Sequence, residues 1–519
     1  MTEPSAASVR TARPPLVAEA VAIAALLIGY SLVQAPVPGV NEPHYLTKAH
    51  HFWHPGWCAG DLFLESDNTH LVFYVTFGWL AAAFDFVTAA IIGRAAALAM
   101  LAAAWVHLSR TLESRPLFGF AAAAAFLLLH SLGNWSGEWV VGGVESKVPA
   151  YAAGFSALAF WISHRIRWAG LVAGLAVSFH PLVGGWLVVA VAIATAWGCL
   201  RDEERDVPLR DWAIGAGLFF AASLPGLMPA IAMLLGADPA ASSEAARIQV
   251  VERLSHHLNA RTFERGHHQY FAALLIAWLL GRRLIGGASW RRWERVAVTS
   301  LAIAAVGLLL SFDPGTAVSG LRIGLLKFYL FRLADVLVPM SVAFLIAAWA
   351  NRTGLRRSLT GIAALIAAAF AIPTVGHDAG RLPPDQMARW LDICEAARTQ
   401  TPPGSLGQVY GPTLSLKWYA GRPEYLNYKD MPQDADSLLE WQRRREVLQR
   451  WPREWADADG FSVAALEALH AETGIDFLIV PANVEFAEPP LRRNRFYQLV
   501  PTQLHDGTAS ESSRGDQSD

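Results

Sequence analysis

Asn41-Glu42-Pro43-His44-Tyr45 follows closely on the first long apolar run of the chain, Pro15 to Val33. A carboxylate just past a membrane span is costly to keep near lipid, so it marks a place where charge is put to use. The stretch beyond it stays polar, aromatic and histidine-rich, with Lys48, His50, His51, His54, Asp61, Glu65, Asp67 and His70. Further apolar runs then follow. The pattern is that of a polytopic helical membrane protein with its chemistry at one face.

Composition agrees. Of 519 residues, 53% are hydrophobic and only 17% charged, well under the share usual for soluble chains. The apolar character fills residues 1–375, while the remainder has the balance of an ordinary soluble domain. A formal net charge of −2 gives no footprint for nucleic acid. Cys58, Cys199 and Cys394 are too scattered for a disulfide framework or metal spacing. The first apolar run is long and lacks a small-residue cleavage site, so it reads as a retained span.

Runs long enough to cross a bilayer, or nearly so, fall near 15–36, 88–108, 116–132, 147–163, 167–181, 183–199, 212–236, 270–281, 294–311, 331–350 and 357–375. With these eleven spans the basic clusters alternate correctly. Arg10 and Arg13, Arg110 and Arg115, Arg165 and Arg167, Arg201 with Arg205 and Arg210, Arg282 to Arg295, and Arg352 to Arg357 all fall on one side, which the positive-inside rule makes the cytoplasm. Leu71 to Phe84 must then lie on the outer face as a juxtamembrane helix, within an outer loop of 37–87. The opposite face collects Glu42, Glu138, Glu145, Lys147, Arg253, His256, His257, His267, His268, Asp313, Lys327 and Arg332.

Residues 376–504 alternate helical and strand patterns. Helical spacing runs over Asp385–Arg398, Ser437–Arg450 and Val463–His470, and strands over Leu406–Tyr410, Asp476–Val480 and Phe496–Val500. This predicts a small α/β domain, extracytoplasmic by parity. Residues 505–519 have the composition of a disordered tail.

A span, then Asn41-Glu42-Pro43-His44-Tyr45-Leu46-Thr47-Lys48-Ala49, an aromatic loop, and a short helix opening His70-Leu71-Val72-Phe73-Tyr74, resembles the start of GT-C-fold integral membrane glycosyltransferases. Protein O-mannosyltransferases and the aminoarabinose transferases of lipid A are examples. Their first outer loop carries an acidic Asp-Glu-x-x-Tyr type of motif and two juxtamembrane helices follow it. This chain has Asn41 in place of the first acid. The resemblance implies a GT-C-like α-helical domain, a polyprenyl-phosphate-linked sugar as donor, and transfer to an extracytoplasmic acceptor at the inner membrane. A second resemblance covers more of the chain. Lys417 to Ala435, Arg253-Leu254-Ser255-His256-His257-Leu258, and Lys327 to Asp335 are similar to a bacterial multi-pass family with a C-terminal domain of unknown function, which brings no activity.

Transfer from a lipid phosphate needs a base for the acceptor hydroxyl and cations for the leaving phosphate. Glu42 is the first candidate base, with capping of the helix that starts beside it as the plainer role. Glu138 is the second. Glu145 and Lys147 suit a local ion pair, and Lys147 can still face the site. Arg253, Lys327 and Arg332, with His256 and His257, are candidates for the lipid phosphate; headgroup contact is the plainer role. Arg332 and Asp335 are spaced to pair on one helical face. A divalent metal is an alternative use of the histidine pairs, but adjacent histidines point apart, so no metal ligand is assigned. Trp418, Tyr419, Arg422 and Tyr425 suit either glycan docking or packing. Two rivals stand beside the enzyme: a non-catalytic assembly factor for envelope polysaccharide, favoured by Asn41, and a transporter, which would need mid-span charges and paired halves.

Overall fold

The computed structural model describes the chain apart from residues 1–14, 202–206, 313–318, 351, 353–354, 375–380, 413, 457–459 and 504–519. Arg10, Arg13, Arg205, Asp313 and the tail from 505 fall outside the described residues. The chain divides into two compact units. One gathers Met1–Trp53, Asp67–Ala379 and Gln433–Leu439; the other gathers His54–Ser66, Gly380–Pro432 and Glu440–Asp519.

The first unit is helical. Each of the eleven expected runs is a helix: Leu16–Gln34, Phe86–Leu112, Phe118–Leu132, Lys147–Ile162, Ile166–Phe179, Pro181–Cys199, Leu209–Gly236, Arg265–Gly281, Ala288–Phe312, Arg332–Ala350 and Leu355–Ala371. Six are long and apolar enough alone to cross a membrane: Leu16–Gln34, Phe86–Leu112, Pro181–Cys199, Leu209–Gly236, Ala288–Phe312 and Arg332–Ala350. Leu71 to Phe84 forms two short helices, Leu71–Thr76 and Trp79–Ala83. Neither approaches the ~20 residues of a span. Helix Ala288–Phe312 starts earlier than the sequence predicts and absorbs Arg291 to Arg295. Arg292 is buried there and donates to the carbonyls of Trp161 (2.8 Å) and Ile162 (3.0 Å), the last turn of helix Lys147–Ile162.

Helices Ile166–Phe179 and Leu209–Gly236 meet backbone to backbone. A Cβ on Gly170 would lie 2.0 Å from the Gly215 carbonyl oxygen, and one on Gly226 would lie 2.0 Å from that of Ser178. Small residues permit this approach where lipid offers no hydrophobic drive between helices. Pro225 and Pro229 interrupt the second helix. Next to Pro225 the Ser178 hydroxyl donates to Ala222 O (2.6 Å) and accepts from Gly226 N (3.2 Å), the kind of insertion that bends a helix.

The second unit is built on a mixed four-stranded sheet, order β1-β2-β4-β3. β1 (Gly407–Val409) runs parallel to β2 (Phe477–Pro481); β4 (Tyr497–Pro501) is antiparallel to β2 and to β3 (Arg492–Arg493). Side chains alternate across β2. Phe477 and Ile479 join Trp390, Ile393 and Cys394 of helix Pro384–Gln400 on one face. Leu478 and Val480 join Leu448, Trp451, Leu466 and Leu469 on the other.

A buried ion cluster ties residues 54–66 into this unit. Lys417 Nζ donates to Asp61 (3.0 Å) and Glu424 (2.8 Å), with an Asp430 oxygen at 2.9 Å. Glu424 N donates to the same Asp61 oxygen (2.9 Å). Burial alone would lower the Lys417 pKa, but Asp430, Asp61 and Glu424 outweigh it and hold it well above the ordinary lysine value. Burial pushes the Glu424 carboxyl up against the pull of Lys417. The neighbouring aromatic and basic residues are also used internally. Arg422 donates to Arg398 O (2.7 Å) and Thr401 O (2.8 Å) at the end of helix Pro384–Gln400, and Tyr425 is buried beneath the Arg444 guanidinium.

Candidate active site

Glu42 opens helix Glu42–Trp53 and is fully buried. Arg94 Nε and one terminal nitrogen each donate to it at 2.6 Å, Gly39 N at 2.6 Å and Val144 N at 2.9 Å. Arg94 also donates to Ala35 O at 2.5 Å. The pair therefore joins the end of the first helix, the start of Glu42–Trp53 and the 143–144 loop. The base expected at Glu42 is thus a carboxylate with donors on both oxygens. Arg94 escaped the sequence reading, although a lone cation inside an apolar run signals a buried partner.

One turn beyond Glu42, Tyr45 lines a cavity of about 400 Å³. Its polar end carries Tyr45, His70, His180, Gln249, Lys327, Arg332 and Gln433. Its apolar wall comes from Leu182 and from Leu227, Ile231 and Leu234 of the proline-interrupted helix. That helix is mostly exposed: Phe220, Met228 and Leu235 are 63%, 62% and 82% exposed. Gln249 lies on a π-helical turn, Ile248–Arg253, a geometry frequent at functional sites.

Arg332 is the cavity's fixed cation. Its Nε lies 2.9 Å from Glu138 Oε2, and its guanidinium sits over the Tyr329 ring at 4.1 Å. Tyr151 donates to the other Glu138 oxygen (2.9 Å). The pairing of Arg332 with Asp335 expected from spacing does not form. Asp335 instead accepts from Trp135 N (2.6 Å), Ser136 N (2.8 Å), the Ser136 hydroxyl (3.0 Å) and Glu138 N (3.1 Å). It thereby holds the turn that presents Glu138. Among the described residues no carboxylate lies within ion-pairing distance of Lys327, which sits beside the Phe328 ring.

His70 packs between Tyr45 and His180, with ring centroids 5.3 and 5.2 Å away. Burial, reinforced by His44, Lys48 and Arg332, pushes it down to about 3, so it is neutral near pH 7. Its Nδ1 is 3.2 Å from Ser146 Oγ. His180 caps helix Pro181–Cys199 by accepting from Val183 N (3.4 Å).

Other expected site residues lie off the cavity lining. Lys147 pairs with Glu145 (3.3 Å), as its spacing suggests. His257 Nδ1 donates to Ser136 O (2.6 Å), and burial pushes its pKa down to about 3. His256 stacks against it (4.1 Å). Arg253 ends the π-helical turn. Among the described residues no group of three or more His, Cys, Asp or Glu side chains is arranged to hold a metal. His180, which as the ring before Pro181 could line a cavity, does so, and His70 of the polar outer loop joins it; Gln433 was not singled out, because residues 70, 180 and 433 meet only in the fold.

Residues 388–448 match the model of a family described as a domain of unknown function, DUF6798. No curated protein matches the chain. Among solved structures the chain is similar to ArnT from Cupriavidus metallidurans, both bound to undecaprenyl phosphate and in the apo state. Each comparison has 13% identity over 94% of this chain and 98% of that one, with a TM-score of 0.35. At that score no residue role carries across.

Proposed function

We propose that the protein is an integral membrane glycosyltransferase of GT-C type that moves a sugar from a polyprenyl-phosphate donor to an acceptor outside the cytoplasm. The observation that carries this reading is the two-ended cavity: Lys327 and Arg332 at one end, and at the other the exposed apolar face of helix Leu209–Gly236. A phosphate on a long hydrocarbon chain matches both ends at once, since Arg and Lys bind phosphate oxygens and the chain stays in lipid. Transfer forms a bond between the acceptor oxygen and the sugar's anomeric carbon and breaks the sugar–phosphate bond. Lys327 and Arg332 stabilise the charge growing on the departing lipid phosphate. Glu138, behind the cavity wall, positions Arg332, and the acceptor's proton passes to the departing lipid phosphate. Glu42 holds the helix that carries Tyr45 rather than touching substrate. Eleven crossings, with the N-terminus in the cytoplasm and the second unit outside it, accompany this reading.

The experiment is binding of citronellyl phosphate to the full chain in nanodiscs, followed by radiolabelled sugar transfer in membranes. Lys327→Gln is expected to weaken binding by about 10–100-fold, the worth of one charge-assisted hydrogen bond. Unchanged binding would overturn the reading. One observation favours a non-catalytic assembly factor instead: Glu42 and Glu138 are each paired to an arginine. Tight lipid-phosphate binding without transfer of any tested sugar would select that alternative.

A further inference from the structure

Three residues of the cavity lining come from far along the chain. Gln433, Ala435 and Leu438 belong to the segment Gln433–Leu439 of the helical unit. This segment is held by Asp434. One Asp434 oxygen caps the following helix by accepting from Ser437 N (2.8 Å), and the other accepts from Asp67 N (3.3 Å). Asp434 thus docks the start of helix Ala435–Trp455 onto the stretch that carries Thr69 and His70. Gln433 is exposed as a residue, and its amide nitrogen lies 3.5 Å from His70 Nε2.

The charges around this polar end are unbalanced in a definite way. Lys327 and Arg332 line the cavity, and no described Asp or Glu does. The carboxylates behind the wall are already engaged, Glu138 by Arg332 and Glu145 by Lys147. The remaining polar lining carries phenols, hydroxyls, amides and two imidazoles, of which burial keeps His70 unprotonated at pH 7. Such groups hydrogen-bond hydroxyls. A free ammonium brought here would meet cations and no available acceptor charge, and like-charge juxtaposition is strongly unfavourable.

We propose that Gln433 is a specificity-determining residue and that the cavity selects a lipid-linked sugar bearing no positive charge, the amide reading its hydroxyls. This rests on the lipid-phosphate reading above.

The test measures binding of three probes to the full chain in nanodiscs: citronellyl phosphate, its glucosyl phosphodiester, and the corresponding glucosamine phosphodiester with its amine free. The glucosyl probe is expected to bind about tenfold or more tighter than the amino-sugar probe. Gln433→Ala should remove the advantage of the glucosyl probe over citronellyl phosphate while leaving citronellyl phosphate binding intact. Gln433→Glu, at an exposed position that tolerates the change, should shift preference toward the amino sugar. Equal or tighter binding of the amino-sugar probe to the native protein overturns the proposal. So does a Gln433→Ala variant that keeps the native ranking. If citronellyl phosphate and both diesters fail to bind, the lipid-phosphate reading itself falls, and this inference falls with it.

Discussion

Lys417 Nζ lies 3.0 Å from a carboxylate oxygen of Asp61, a residue 356 positions earlier. Both side chains are buried within one compact unit. Such a pair cannot form across a bilayer, so residues 54–66 and the strands and helices after 380 occupy the same side. The chain must then cross an even number of times between them. Of the six long apolar helices, Leu16–Gln34 precedes residue 54 and the other five lie between. If all five cross, an odd number of the shorter helices crosses as well. The proposed eleven crossings satisfy this, with ten in that interval.

Topology is therefore testable by labelling. Gly56→Cys and Ala388→Cys, both at exposed positions, should react with an impermeant maleimide from the same side, and Ser114→Cys from the other. The proposed orientation puts the first two outside the cytoplasm. Labelling of Gly56→Cys and Ala388→Cys from opposite sides would break the parity argument.

Lys417→Met should destabilise the second unit by about 3–5 kcal/mol at pH 7, because it strands buried carboxylates without their cation. The raised Lys417 pKa stabilises the native protein fully below the unfolded lysine value and is lost only as pH rises through the higher folded value. The raised Glu424 pKa acts alike at lower pH: its contribution is full below the unfolded glutamate value and falls as pH rises through the folded one. The variant should accordingly recover part of its loss as acidification protonates the carboxylates. Tryptophan fluorescence during thermal unfolding between pH 4 and 7 measures both effects.

Glu42→Gln should lower thermal stability in detergent by about 3–5 kcal/mol, since it leaves Arg94 buried without its counter-charge. A change confined to turnover, with stability intact, would return Glu42 to the chemistry. The double variant Glu42→Gln/Arg94→Met should be less damaged than the sum of its parts, because the two positions share one interaction.

Asp335→Asn should cost about 2–3 kcal/mol and reduce transfer although Asp335 does not line the cavity. It weakens charge-assisted bonds to Trp135 N, Ser136 N and Glu138 N. Thermal unfolding and sugar transfer at matched abundance check this. Full transfer would show that Glu138 needs no such support.

The helices were legible because long apolar runs without turn residues leave few alternatives to a helix. The three expected strands appear as β1, β2 and β4, each within a residue or two of its predicted place, because short apolar β-branched runs bounded by turns leave few alternatives. The site was only partly legible. Lys327 and Arg332 stood out as cations in one outer loop, and Glu138 as an acid in an aromatic loop. Spacing misled where tertiary partners won, as when Arg332 took Glu138 and left Asp335 to backbone amides. Arg94 and Gln433 were invisible for the same reason: their partners lie 52 and 363 residues away.

The Asp61–Lys417 contact also sets a timetable for biosynthesis. At about 5–20 residues per second, the 356 residues separating them take roughly 20 to 70 s to translate. Throughout that interval Asp61 has its local contact to Leu64 N but not yet Lys417 or Glu424 N. A chain stopped anywhere before residue 417 therefore carries Asp61 without the cation that neutralises it in the finished unit.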